Sequence, residues 1–506
     1  MKLHTTTVSL LSTLALVPAC FQASDDRMDD APGMADTDGD DGATDDGNGM
    51  DDGNGMDDGA PQAPEPTAGN ALVRVIHGAP DAPAVDIYAE GIQAPVLTDV
   101  SYGEATDYIE VPAGDYNFQI RPAGASSAEP AVYETGTLEL ADGVTVSALA
   151  AGLLAGEGDS AFRVIPLVEE WDGGLGGEAL VRIVHAGSDA PTVSIDVADD
   201  GEPEVEGLAR FADTGSAGVP LPAAKSLQVG IRAGADRVTA FTTPALPDGA
   251  NVFVIATGRL GRPANEADGF ALLAVGPEGS LGFIKQNPVV YALHASPDAP
   301  EVDLCAGDKL LANHLTFGNL AQTQVPPGEY AIDFYASPSN CAGTAVTTDW
   351  TPELEAGEQY LAIATGEINP AVDEPPLQLV TFRNHFTPDS PEDAIFNIVH
   401  AASAPEVDVG LVTGTTIEGG NLLQAALKWP SISETFAIQP FTYQIGLAAA
   451  GTSSPVASFH VDAYAGLRSF IVAAGDLSPE TTEASLRLLS VDTSATPWTV
   501  DTYMPN

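Results

Sequence analysis

Hydrophobic and polar side chains alternate strictly in one short segment of the chain and in three later segments like it. The apolar residues Tyr116, Phe118 and Ile120 are each separated by a single polar residue. Successive side chains of a strand point to opposite faces, so this period of two predicts a half-buried β-strand. Apolar residues recur at matching positions further on, at Leu227, Val229 and Ile231; at Tyr330, Ile332 and Phe334; and at Tyr443, Ile445 and Leu447.

Two further landmarks accompany each alternating segment, always in the same order. A mostly apolar run that ends in a histidine precedes it, and an apolar run that ends in a glycine follows it. The histidines are His77, His185, His294 and His400, and the glycines are Gly152, Gly258, Gly366 and Gly475. Three landmarks in fixed order, repeated four times, indicate one unit copied along the chain.

The repeat length and the turn-forming residues favour sandwiches of short strands. The chain has 51 Gly and 39 Pro in 506 residues, and each repeat is about 100 residues long without helical periodicity. The predicted fold class is all-β, with four tandem immunoglobulin-like antiparallel β-sandwich domains behind a disordered acidic linker. The predicted segments are 1–19 (signal peptide), 20–70 (tether), 71–168, 179–278, 288–382 and 393–493 (the four sandwiches) and 494–506 (C-terminal tail).

The N-terminus has the features of an export signal. A lysine at position 2 precedes a short apolar run from Val8 to Val17, and small residues follow before Cys20. The sequence Val17-Pro18-Ala19-Cys20 resembles the lipobox of bacterial lipoproteins. That resemblance implies cleavage before Cys20 and attachment of lipid to its sulfur, which would anchor the chain to a membrane. A plain secretory signal with an incidental cysteine is the alternative.

The segment after the signal is predicted to be a solvated tether. Residues 25–66 contain 15 acidic residues and one basic residue. With almost no aromatic or β-branched side chains, this segment cannot bury enough surface to offset the entropy of ordering. Asp36, Asp38 and Asp40 have the spacing of a calcium loop, but Asp41 stands where the turn glycine belongs and Gly47 where the bidentate glutamate belongs. Diffuse association with divalent cations is therefore the only cation binding we expect here.

Net charge excludes one class of partner. The chain has 72 acidic and 18 basic residues, a formal charge of −54 at pH 7. Nucleic-acid binders need a basic surface that displaces counterions from phosphates. We therefore expect no nucleic-acid partner.

The repeat motifs resemble a known bacterial family. The sequence His-Ala-Ser-Pro-Asp-Ala-Pro at His294–Pro300, the Val-Pro-Ala-Gly-Asp-Tyr hairpin at Val111–Tyr116 and the Ala-Ala-Gly end at Ala150–Gly152 are similar to those of the domain-of-unknown-function family numbered 4397. The resemblance covers residues 71–492. It implies tandem β-sandwiches in secreted or envelope-attached proteins, and it implies no activity.

The repeated histidine and the aspartate that follows it are the candidate chemical groups. In two copies a second aspartate, Asp86 or Asp303, would complete a His/carboxylate metal site. The second copy has Ser194 at that position, and the fourth lacks the first aspartate. We therefore interpret the motif as structural, with the aspartate forming an Asx-type turn or cap; a metal or catalytic role is the alternative. The motif residues are His77, Asp81, His185, Asp189, His294, Asp298 and His400.

Cysteines predict one disulfide, and the catalytic motifs we sought do not occur. With Cys20 assigned to lipid, Cys305 and Cys341 remain, both in the third repeat. An even pair within one exported domain is most simply a disulfide.

The chain contains no Gly-x-Ser-x-Gly, His-Glu-x-x-His, P-loop or Cys-x-x-Cys sequence. We expect no enzyme activity, no catalytic or metal-binding residue and no cofactor.

These observations predict a lipid-anchored protein of the bacterial cell envelope, on the outer membrane and facing either the periplasm or the surface. Its four sandwiches would serve adhesion or the binding of a polysaccharide or an envelope protein. A purely structural spacer is one alternative. An unrecognised hydrolase or metal-binding protein that uses a repeat His/Asp pair is the other.

Overall fold

The computed structural model describes residues 61–171, 176–370, 372, 374–386, 391–477 and 484–506. The predicted signal peptide, Cys20 and the tether up to residue 60 lie outside the described residues. Within them the fold is all-β, with eight sheets that pair into four sandwiches. The all-β, four-sandwich prediction is confirmed. No helix in the described part of the chain is long and apolar enough to cross a membrane.

Sandwiches 1 and 2 follow each other directly along the chain. Sandwich 1 contains β1 (Asn70–His77), β2 (Val85–Ala89), β3 (Leu97–Val100), β4 (Ile109–Pro112), β5 (Gly114–Pro122), β6 (Tyr133–Leu140), β7 (Thr145–Ala151), a 3-10 turn (Gly158–Ser160) and β8 (Arg163–Val168). Sandwich 2 contains β9 (Glu178–His185), β10 (Val193–Val197), β11 (Val205–Leu208), β12 (Val219–Pro222), β13 (Gln228–Ala233), β14 (Asp236–Thr242), β15 (Asn251–Thr257), β16 (Ala271–Gly276) and β17 (Gly279–Lys285).

Sandwiches 3 and 4 repeat the same plan. Sandwich 3 contains β18 (Val289–His294), β19 (Val302–Ala306), β20 (Lys309–Leu315), β21 (Leu320–Gln324), β22 (Ala331–Ala336), β23 (Thr347–Trp350), β24 (Gln359–Thr365) and β25 (Gln378–Arg383). Sandwich 4 contains β26 (Ala394–Ser403), β27 (Val407–Thr413), β28 (Thr416–Leu427), β29 (Ser431–Ile432), β30 (Phe436–Ile438), β31 (Phe441–Ala449), β32 (Pro455–Ala463), β33 (Arg468–Asp476), β34 (Arg487–Asp492) and β35 (Thr499–Tyr503).

Each sandwich has an outer sheet and a motif sheet. In sandwich 1 the outer sheet has the order β3-β2-β5-β6, and the motif sheet, which contains the histidine strand, has the order β4-β1-β7-β8. The alternating segment around Phe118 forms β5 of the outer sheet. The sheets are not purely antiparallel as predicted, because the histidine strand pairs in parallel with the glycine-ended strand. The parallel pairs are β1·β7, β9·β15, β18·β24 and β26·β33.

The histidine strands are buried on both faces, which the sequence pattern already indicates by its lack of alternation. In β1, Val73 and Val75 face the core of sandwich 1, whereas Ile76 packs against sandwich 2. Strands buried on both faces are mostly apolar along their whole length.

Motif sheets pack against each other in pairs, so neighbouring sandwiches share buried apolar surfaces, which we call seams. The first seam joins sandwiches 1 and 2 through Ile76 and Leu149 on one side and Val184 and Phe253 on the other. The second seam joins sandwiches 3 and 4. Its buried residues include Tyr291, Leu293, Ile363, Val399, Phe470 and Trp498.

Polar contacts join sandwiches 2 and 3. Gln324 Nε2 donates to Thr239 Oγ1 at 3.1 Å and to the carbonyl of Asn287 at 2.9 Å, and Gln324 Oε1 accepts the N–H of Ala240 at 3.0 Å. Side-chain hydrogen bonds from Gln324 thus link these two sandwiches.

Two predicted boundaries are wrong for the same reason. Residues 279–287 were expected as a joint, but β17 extends the motif sheet of sandwich 2 by pairing with β16. Residues 494–506 were expected as a tail, but β35 pairs with β34 as an edge strand of sandwich 4. Both segments gain backbone hydrogen bonds at an otherwise open sheet edge.

Candidate functional site

The four motif histidines make the same buried contact. Each donates from Nε2 to the carbonyl oxygen of a proline in the turn that follows, at 2.8–3.2 Å. The acceptors are Pro83, Pro191, Pro300 and Pro405. Burial lowers the pKa of each imidazole below its ordinary value, although the proline carbonyl opposes that shift. The histidines are therefore neutral, and their hydrogen bonds attach the turn to the strand that contains the histidine.

The first motif aspartate bonds to the backbone of a loop that is distant in sequence. Asp81 accepts the N–H of Leu154 on Oδ1 at 2.7 Å and the N–H of Ala155 on Oδ2 at 3.0 Å. Asp189 and Asp298 hold equivalent pairs of N–H groups just beyond Gly258 and Gly366. The predicted Asx-type turn is therefore wrong. Both carboxylate oxygens clamp a loop that is distant in sequence but adjacent through the parallel strand pair.

The landmark glycines allow that loop to approach. Gly152 has φ +81°, and a Cβ there would lie 2.5 Å from the carbonyl oxygen of Ala161. Gly258, Gly366 and Gly475 share the positive φ and a comparable clash with backbone. Only glycine fits this position, because it tolerates the left-handed conformation and has no Cβ.

The second polar position of the motif stabilises a β-bulge. Asp86 accepts the N–H of Asp99, whose φ is +56°, at 2.9 Å. Ser194, Asp303 and Asp408 do the same for the bulge residues Gly207, His314 and Ala426. Serine replaces aspartate without loss of this bond, because the bulge needs only one oxygen acceptor. The role was missed from the sequence, although its signal, an oxygen-bearing side chain in all four copies, was present.

The structure brings no metal site together at these positions. Both oxygens of each clamp aspartate are occupied by backbone N–H groups, and each histidine Nε2 donates to a carbonyl. In the described ranges no group of three or more His, Cys, Asp or Glu side chains is placed to hold a metal ion.

A serine, a histidine and a glutamate do meet in sandwich 3. His314 Nδ1 lies 2.5 Å from Glu301 Oε1 and 2.9 Å from Ser337 Oγ. In a hydrolase triad the serine and the acid contact different ring nitrogens, so that a proton can pass through the ring. Here both contact Nδ1, and the side chain of His314 is 55% exposed. This arrangement cannot relay a proton from Ser337 to Glu301.

Cys305 and Cys341 form a disulfide, as their position within one repeat predicted. The bond links β19 to the turn after β22. Asp303 fixes the same turn by accepting the N–H groups of Ser339 and Asn340. Burial alone would raise the pKa of the Asp303 carboxyl, but hydrogen bonds from Ser339 and His314 hold that pKa well below its usual range.

Three of the four tryptophans pack at the seams. Trp171 contacts Phe253 edge-on with ring centroids 5.1 Å apart, and Trp498 stacks on Tyr291 at 4.1 Å. Trp429 donates to Thr365 Oγ1 at 3.2 Å. Only Trp350 is largely exposed, so the four do not form a common stacking platform.

Two sandwich cores contain large cavities, which residue patterns could not reveal. A cavity of about 410 Å³ lies inside sandwich 1, and one of about 380 Å³ lies inside sandwich 2. In sandwich 3 the corresponding space shrinks to about 40 Å³, lined among others by Leu311, Tyr330 and Leu354. Both large cavities are walled mainly by Val, Ile, Leu and Ala side chains, and their size is within the range of small-molecule sites.

Comparison with known proteins adds a family match for two regions. Residues 71–196 and 288–410 match the model of a domain of unknown function, DUF4397. Two of the four repeats thus carry the family pattern. Each match runs through one sandwich into the first two strands of the next, ending in β10 and β27. No curated protein matches the chain.

Proposed function

We propose that this protein is a non-enzymatic binding and display protein of the bacterial cell envelope. One observation carries the proposal: the motif His of all four repeats and the motif Asp of the first three are used in hydrogen bonds to backbone that fix the turns. Both oxygens of each motif carboxylate are taken by backbone N–H groups. Each motif imidazole is buried away from solvent with its Nε2 held by a carbonyl. Neither group is therefore placed for attack or proton transfer. The repeated motif therefore stabilises the sandwich fold. We assign ligand binding to the loops that connect the strands.

The proposed location rests on the N-terminal sequence and on the disulfide. The residues Val17–Cys20 resemble a lipobox, and the proposal places diacylglycerol on the Cys20 sulfur. A disulfide between Cys305 and Cys341 suits a compartment outside the reducing cytosol. The acidic segment before sandwich 1 would then act as a spacer between membrane and sandwiches, because its carboxylates repel one another.

One pair of assays on the purified chain distinguishes a binding protein from an enzyme. An array of polysaccharides and envelope proteins should retain the chain at defined spots, and the same ligands should be recovered unchanged after incubation. Ser337→Ala should bind the array as the wild type does. Ligand cleavage that is lost in Ser337→Ala would overturn the non-enzymatic proposal, and an array with no retained ligand would favour a structural spacer.

The anchor is tested separately. Mass spectrometry of the mature N-terminus should find Cys20 as the first residue with an added diacylglycerol and acyl mass. An unmodified Cys20, or a chain cut elsewhere, would remove the lipid anchor from the proposal.

A further inference from the structure

The cavity of sandwich 2 runs from the buried core to the protein surface. Its inner wall includes Ile183, Ile195 and Phe270, all buried. At its other end it is lined by Leu281, which is 64% exposed, and by the exposed Pro244. These two residues lie on β17 and just after β14, the edge strands of the two sheets. The opening therefore lies between two sheet edges.

One cationic side chain lines this cavity. Lys285, at the end of β17, is half-buried, and its Nζ lies 5.4 Å from the centroid of the Phe283 ring. No carboxylate of the described residues lies within ion-pair distance of its ammonium, and the nearby Glu358 forms its ion pair with Arg383. Burial lowers the pKa of Lys285, with Glu358 opposing the shift. A cation at the margin of an apolar space favours an anionic group there.

The other sandwiches lack this combination. In sandwich 1 the cavity is as large, but the charged residue in its lining is Glu139, which would repel an anion. In sandwich 3 the core is filled. Sandwich 2 alone among these three joins a deep apolar space to a positive charge.

We propose that the cavity of sandwich 2 binds a long-chain fatty acid, with the alkyl chain between the sheets and the carboxylate paired to the Lys285 ammonium. An unbranched chain suits a long space between two sheets of aliphatic side chains, because each methylene that leaves water contributes to binding. The Lys285–carboxylate pair fixes the direction of entry, since a charged head group cannot be buried without a partner. Ala356 of sandwich 3 also lines the site, so the ligand would contact the junction between sandwiches 2 and 3.

The test is calorimetric titration of the purified full chain with hexadecanoate, hexadecanol and hexadecylammonium. We expect one hexadecanoate per chain and weaker binding of the other two. Lys285→Met, which keeps the stem and removes the charge, should weaken hexadecanoate binding by about tenfold or more, the loss of one charge-assisted bond. Lys285→Arg should largely restore it. The matched control Lys309→Met, an exposed lysine of sandwich 3, should bind as the wild type does.

A second pair of variants locates the alkyl chain. Ala256→Leu fills the sandwich 2 cavity and should abolish binding, whereas Ala148→Leu fills the sandwich 1 cavity and should leave it unchanged. The proposal is overturned by absence of hexadecanoate binding, by equal affinity of wild type and Lys285→Met, or by loss of binding in Ala148→Leu alone. Tighter binding of lysophosphatidylglycerol with a hexadecanoyl chain than of hexadecanoate, in the same titration, would overturn the assignment to a free fatty acid. The binding arrays of the display proposal do not depend on any of these results.

Discussion

In the first seam the Phe253 ring lies near two buried guanidinium groups, whereas in the second seam the Trp498 ring lies flat on Tyr291. The Cζ atoms of Arg74 and Arg182 are 5.7 and 5.8 Å from the Phe253 centroid. Arg74 donates to the carbonyl of Gly276, at the end of β16, at 2.6 Å. Arg182 donates to the carbonyl of Val168, at the end of β8, at 2.5 Å. These contacts are reciprocal, as in an interface with two-fold symmetry.

Both seams share one further contact. Thr257 Oγ1 donates to the carbonyl of Gly78 at 2.6 Å in the first seam, and Thr365 Oγ1 donates to the carbonyl of Ala401 at 2.8 Å in the second. The two seams share the way in which the motif sheets pack. They differ at one position of the histidine strand, three residues before the histidine. Arginine stands there in repeats 1 and 2, and Tyr291 stands there in repeat 3.

The residues at this position favour some pairs of sandwiches over others. Were sandwich 1 to pack on sandwich 3, Arg74 would be buried against Tyr291 without the carbonyl acceptor that Gly276 supplies. Arg74 would keep Glu169 and Ser147 of its own sandwich but would lose its hydrogen bond across the seam. An N–H of a buried guanidinium that is left without an acceptor disfavours the wrong pair. Pairing of 1 with 2 and of 3 with 4 is thus specified by the seams, although all four sandwiches share one fold.

The largest effect is expected from Arg74→Ala. It removes the positive partner of Glu169, 3.6 Å away and almost fully buried, and leaves the Gly276 carbonyl without its donor. Loss of a buried ion-pair partner should lower the unfolding free energy of sandwiches 1 and 2, which we call the first pair, by about 3–5 kcal/mol. Urea denaturation of the full chain measures this. Arg237→Ala, which breaks a partly exposed pair with Asp199 on the outer sheet, should change it by less than about 1 kcal/mol.

Trp498→Ala should destabilise the second seam by about 3 kcal/mol, because it leaves a cavity beside Tyr291 and Phe470. The first pair should unfold as in the wild type, which differential scanning calorimetry resolves as an unshifted transition. Trp350→Ala, at an exposed tryptophan, is the control and should shift neither transition. A shift of both transitions by Trp498→Ala would contradict two separate seams.

The shared threonine bond should contribute less. Thr257→Val removes one buried hydrogen bond and should cost the first pair about 1 kcal/mol. Thr365→Val should cost the second pair more, because Thr365 also accepts the indole N–H of Trp429. Equal midpoint shifts in thermal unfolding of the two variants would argue that the Trp429 bond contributes nothing.

The smallest effect is a pH dependence from the motif histidines. Their pKa values in the folded protein lie below the ordinary 6.5. As pH falls toward and below about 6.5, the unfolded chain therefore binds more protons than the folded chain does. The unfolding free energy must then fall with pH. Each buried histidine should contribute up to about 0.7 kcal/mol of this loss between pH 7 and pH 6. His294→Gln should flatten the stability–pH curve, measured by urea denaturation at pH 7 and at pH 6.

Much of the fold could be predicted from residue patterns, because local patterns determine strands. The alternation around Phe118 predicted β5, and the landmark glycines marked positions where a side chain cannot fit. The seams were less visible. In the sequence, Arg74 looks like a polar residue on a solvent-facing side of a strand, yet its side chain is buried. The only sign of two buried faces is that apolar and polar residues do not alternate along β1.

The candidate site was harder to predict than the fold. The partners of Asp81 are the N–H groups of Leu154 and Ala155, which the parallel pairing of β1 and β7 brings near. No local pattern predicts a contact of that sequence separation. The cavity of sandwich 2 depends on how the volumes of many side chains add up between two sheets, and such a sum has no signature at single positions.

Hydrogen–deuterium exchange tests the pairing of motif sheets most directly. Arg74→Ala should speed exchange in β7 of sandwich 1 and equally in β15 of sandwich 2, because the two motif sheets protect each other from solvent at the seam. Strands β24 and β33, in the second seam, should exchange as in the wild type. Faster exchange confined to sandwich 1, with β15 unchanged, would contradict the claim that the two sandwiches stabilise each other through the first seam.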